Sequence, residues 1–104
     1  MEKTRPQAGI AQRFSFEDYL RQLTGGVPDV SRPIYRACRI AWDAQDKPSD
    51  LPSSLDVALI LNELGVDETT LIVTLLSDAR LLNDDFFRLI EKEFGKEIQH
   101  LVKN

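Results

Sequence analysis

The side chains able to do chemistry are few and widely spaced. His100 is the only histidine and Cys38 the only cysteine. A disulfide within the chain is therefore impossible, and a cysteine-type zinc centre lacks its ligands. His100 has no second histidine to complete a catalytic or metal set, and its place near the chain end suits a helix-capping or solvated role. Asp84-Asp85 and the pair Glu91 and Glu93 are the acidic groupings that could attract a hard cation, but carboxylates at helix starts and on exposed faces are commonplace. Gly25-Gly26 reads as a helix stop rather than a phosphate cradle, and neither a Gly-rich phosphate loop nor a nucleophile elbow occurs. Trp42 and Phe94 fall on apolar stripes, which predicts core packing rather than ligand stacking. Taken alone, these residues hold no complete catalytic or metal-binding set.

The elements that must position them are helices. Residues 1–14 are polar, carry Pro6 and Gly9 and lack a period, so they read as a flexible lead before an ordered unit over 15–104. Ser15 with Asp18 resembles a capping box opening a helix whose inner face is Phe16, Tyr19, Leu20 and Leu23. Ser31 is the expected cap of a second helix with Pro33 in its first turn, and Ile34, Ala37, Cys38, Ala41 and Trp42 make one continuous stripe. Gln45 to Pro52 reads as a loop. Ser53 or Ser54 restarts a helix with Val57, Ile60, Leu61 and Leu64 inward and Gly65 as its stop. Asp67 caps a helix apolar on most sides at Leu71, Ile72, Val73, Leu75, Leu76 and Ala79, which predicts a central position. Asn83 or Asp84 begins another, with Phe86, Phe87, Leu89, Ile90 and Phe94 inward and Gly95 as its stop. Ile98, Leu101 and Val102 mark a last piece. No alternating strand pattern or repeat is present, so the expected fold is all-α, a compact bundle of five to six helices.

Thirteen basic residues against seventeen acidic ones give a formal charge of −4, with the basic residues scattered. A cationic nucleic-acid face is thus not expected. The apolar run Leu71 to Leu76 is far below the ~20 residues of a membrane span, and Met1 to Gln12 lacks the apolar core of a secretory signal. A cytoplasmic protein without membrane partners is the expectation.

Four stretches then carry a resemblance: Val57-Ala58-Leu59-Ile60-Leu61-Asn62-Glu63-Leu64; Asp67 with Thr70-Leu71; Leu75-Leu76-Ser77-Asp78; and Phe94-Gly95-Lys96-Glu97-Ile98 with Leu101-Val102. In this spacing, Ser53 to Asn104 resembles without a gap the His-Asp (HD) hydrolase domain that opens the bifunctional RelA/SpoT enzymes of (p)ppGpp metabolism. Arg36-Ala37 through Ala41-Trp42-Asp43-Ala44 looks like that family's preceding helix, followed here by a shorter loop.

The resemblance implies an HD-type bundle, and with it a comparison of sites. Active members hydrolyse the 3′-pyrophosphate with a manganese ion held by two histidines and two aspartates. A histidine of that set stands where Ser53 stands, and the His-Asp pair where Ser77-Asp78 stands. The following Glu-Asp pair falls on Leu81-Leu82, and the histidine ending the preceding helix falls on Gln45. Of the ligands alignable here only Asp78 remains, and a serine hydroxyl replaces imidazole poorly. The Mn²⁺ site is therefore expected to be lost, with no cofactor and no catalytic residue in this chain. The last aspartate ligand and the synthetase domain would lie beyond Asn104, so the chain is expected to be part of a longer protein. Helical pattern without the site is what the synthetase-only RelA members look like, whose N-terminal pseudo-hydrolase is thought to regulate a GTP pyrophosphokinase. The expected partner is the rest of that chain, or a second copy through Phe86, Phe87, Ile98, Leu101 and Val102. The alternative is a stand-alone helical interaction module; an active phosphohydrolase ranks third.

Overall fold

The computed structural model describes residues 14–26, 29–47 and 53–103. Over these the chain forms six helices, α1 (Phe16–Thr24), α2 (Pro33–Ala44), α3 (Ser54–Glu63), α4 (Glu68–Leu76), α5 (Asp84–Phe94) and α6 (Lys96–Lys103), and no strand. This is the expected all-α bundle, consistent with the HD type. Most of the proposed lead and part of the predicted 45–52 loop lie outside the described residues.

Local chemistry sets most boundaries. The side chains of Ser15, Ser53, Asp67 and Asn83 accept the backbone N–H of Asp18, Leu55, Thr70 and Phe86, each satisfying an orphan donor of the first turn. At the end of α3, Gly65 takes φ +85°. Its N–H bonds the Asn62 carbonyl and that of Val66 bonds the Leu61 carbonyl, the paired reverse bonds of a glycine-closed helix end. Ser31 is not the cap of α2. Arg32 occupies that place without a side-chain bond, because the Ser31 hydroxyl and N–H both turn back to the Asp29 carboxylate.

α4 lies in the middle as its composition predicts. It packs against α2, α3 and α6, while α1 rests on α2 and α3, and α5 pairs with α6. Leu71, Ile72, Leu75 and Leu76 are buried beside Leu55, Ala58, Ile34, Ala37 and Cys38. α4 stops at Leu76, so Ala79 lies in the following turn and is exposed. Tyr19 is fully buried and donates its hydroxyl to the Leu55 carbonyl at 2.7 Å, pinning α1 to the first turn of α3. Burial, with Cys38 and Asp56 adding, raises its pKa, which keeps it a donor.

Several expected inward residues face out. Ile60 is 53% exposed, Leu64 74%, and Leu89 is exposed as well. α3 buries Leu55, Ala58 and Leu59 instead, since a helix apolar around most of its circumference gives its period little power to choose a face.

Candidate functional site

Asp78 stands at the meeting point of three elements. α4 ends at Leu76 against the start of α3, where the buried Ser54 hydroxyl donates to the Leu75 carbonyl at 3.1 Å. This brings the next turn of chain, and with it Asp78, onto the N-terminus of α3. The Asp78 side chain is 0% exposed. Its Oδ2 accepts the Ser54 backbone N–H at 2.9 Å and the Gln45 amide Nε2 at 3.2 Å. Its Oδ1 accepts the Arg80 backbone N–H at 3.0 Å and Arg80 Nη1 at 3.1 Å, and Nη1 also reaches Oδ2 at 3.3 Å. Four donor groups thus meet a carboxylate with about four lone-pair directions, and its accepting capacity is filled.

The electrostatics follow from these contacts. Burial on its own pushes the Asp78 carboxyl up. The Ser54 and Arg80 N–H groups, the Arg80 guanidinium and the Gln45 amide outweigh it and hold the carboxyl below the usual carboxylate range. The Ser54 N–H belongs to the first residue of α3, so the positive end of that helix adds to the stabilisation of the anion.

The positions singled out by resemblance divide into two groups. Gln45, Ser53, Ser77 and Asp78 do gather here: Gln45 bonds Asp78 directly, and the two serines flank the junction. Neither serine reaches the carboxylate. Ser53 Oγ accepts the Leu55 N–H as the cap of α3, and Ser77 donates its hydroxyl to the Val73 carbonyl at 2.7 Å. Leu81 packs on the core, and Leu82 is exposed. An open cleft of about 380 Å³ lies alongside, lined by Ser54, Val57, Val73, Thr74, Ser77 and Asp78.

This set does not fit a manganese ion. The single carboxylate is saturated by protein donors, one of them cationic, and the side chains at 45, 53 and 77 are an amide and two hydroxyls, poor ligands for a transition metal. Among the described residues no three His, Cys, Asp or Glu side chains come together to hold a metal. Members of the acidic groupings are held by arginines instead: Asp85 pairs with Arg88 one turn along α5, and Glu93 pairs with Arg36 of α2. His100 is exposed on the last turn of α6. Cys38 is fully buried, which pushes its thiol up to about 12. Trp42 and Phe94 serve packing: Trp42 meets Phe16 edge to face and Tyr19 at a tilt, and Phe94 lies under the Arg36 guanidinium. The sequence reading missed Arg80, which carries the positive charge of the site.

No family model matches the chain, and no solved structure matches it significantly. The chain is 33% identical over 95 residues to a guanosine-3′,5′-bis(diphosphate) 3′-pyrophosphohydrolase of Aquifex aeolicus (strain VF5). The match covers 86% of this chain and 14% of that relative, so the chain spans about one seventh of the relative's length. The likeness supports a relationship with the RelA/SpoT family of HD hydrolases.

Proposed function

We propose that this chain is a catalytically inactive HD-hydrolase domain that regulates a RelA/SpoT-type GTP pyrophosphokinase in the cytoplasm. The observation that carries the reading is the filled carboxylate of Asp78. In a hydrolase that aspartate must offer an oxygen to an exchangeable ion, whereas here Ser54, Gln45 and Arg80 use all of its acceptor positions. Likeness to a 3′-pyrophosphohydrolase supports the ancestry, and the departures at Gln45, Ser53, Ser77, Leu81 and Leu82 support the loss of turnover.

A domain kept without its chemistry acts through its surfaces. The proposed partner is the remainder of the synthetase chain, with a second copy as the other candidate. Of the contact set expected from sequence, Phe86 and Val102 are already buried inside the chain, because α6 folds back onto α5 and α4. Leu101, 44% exposed, and the half-buried Phe87 and Ile98 remain available. The test has two arms. The chain incubated with ppGpp and Mn²⁺ should release no pyrophosphate, and Phe87→Asp in the parent enzyme should alter the regulation of GTP pyrophosphorylation while leaving synthetase chemistry intact. Stoichiometric turnover, or unchanged regulation in a folded mutant, would overturn the reading.

A further inference from the structure

Loss of hydrolysis requires only that the ligand imidazoles be absent at 53 and 77. It does not call for a largely buried arginine two residues past the surviving aspartate. Arg80 is 11% exposed at its side chain, and three of its donor groups are engaged: the backbone N–H and Nη1 on Asp78, and Nε on the Lys47 carbonyl at 2.9 Å. Lys47 belongs to the segment leaving α2, 33 positions away in sequence. Gln45, from the same segment, donates to Asp78 and to the Ala41 carbonyl. One guanidinium and one carboxylate therefore join the end of α2, the start of α3 and the turn after α4.

We propose that Arg80 is a fixed internal counter-cation, occupying beside Asp78 the place an exchangeable ion would need and clasping these three segments into one junction. The inference rests on the reading that the site has lost turnover, and it adds what replaced the ion. A buried carboxylate without an opposite charge is strongly unfavourable, so an aspartate retained after loss of the other ligands needs a new cation. Arginine meets the geometry. Its planar fork places Nε and Nη1 in fixed directions toward two acceptors, whereas a lysine ammonium is a point charge on a flexible stem.

Nitrogen-15 NMR of the unaltered chain is the first test and needs no variant. The Arg80 Nε–H should exchange with water at least about tenfold more slowly than that of Arg88, whose side chain is 75% exposed; equal exchange would overturn the clasp. A double-mutant cycle with Arg80→Met and Asp78→Asn is the second. The two changes should couple by a factor of ~10 or more in the unfolding equilibrium constant, and Arg80→Lys should fall between wild type and Arg80→Met. Independent effects, or a lysine no better than methionine, would overturn the proposal. If Arg80→Met does not fold, Arg80→Lys takes its place in the cycle. Failure of the underlying reading shows separately, as 3′-pyrophosphate hydrolysis by the wild-type chain, whereas additivity in the cycle sinks the clasp with no hydrolysis present.

Discussion

Leu75→Ala should be among the most damaging single changes in this domain. Leu75 is fully buried on α4, the helix against which α2, α3 and α6 pack, and its carbonyl receives the Ser54 hydroxyl that seats α3 beside Asp78. Truncation to alanine removes apolar contact and leaves a cavity that surrounding helices refill only in part, a loss of about 2 to 5 kcal/mol. Against a total stability of roughly 5 to 15 kcal/mol this is a large fraction. With a urea dependence of about 1.5 kcal/mol per molar, a loss of about 3 kcal/mol moves the unfolding midpoint down by ~2 M. Leu64→Ala is the matched control, since the same atoms are removed from a side chain that is 74% exposed, and its midpoint should shift by no more than a few tenths of a molar. Urea unfolding followed by helical circular dichroism reads both. Equal shifts would refute the central placement of α4.

Tyr19→Phe should cost about 1 kcal/mol, because the buried hydroxyl bond to Leu55 is lost while the ring packing is kept; no change in the urea midpoint would show that the bond adds nothing. Asp78, held below the usual carboxylate range, stabilises the fold fully above the unfolded value of about 3.9, and this contribution is lost as pH falls through its lower folded value. Acid titration of stability should therefore be flatter below about pH 4 for Asp78→Asn than for wild type, and superimposable acid limbs would contradict it. Cys38, buried with its thiol pushed up to about 12, should resist disulfide reagents in the native state and react promptly in denaturant; fast native labelling would mean that α2 is misplaced.

Much of this fold was legible because its signals are local. Ser15, Asp67 and Asn83 cap helices by reaching three residues ahead, and Gly65 and Gly95 take the positive φ that other residues avoid. Such effects depend on neighbours in sequence, so sequence displays them. The central position of α4 was legible too, from apolar residues around most of its circumference. The same composition hid the orientation of α3, where Ile60 and Leu64 face out although their spacing matches an inner stripe. Ser31 was misread because Asp29 competes for its hydroxyl. Resemblance located Gln45, Ser53, Ser77 and Asp78, and the structure brings them to one junction. Arg80 escaped because its role depends on a carbonyl 33 positions away, and nothing in its own neighbourhood separates it from an exposed arginine.

Calorimetric titration of the chain with Mn²⁺ at neutral pH tests the filled site most directly. With Asp78 saturated by Ser54, Gln45 and Arg80, the account predicts no saturable heat in the micromolar range, only the weak response of an acidic surface. A stoichiometric micromolar site, abolished by Asp78→Asn, would contradict it.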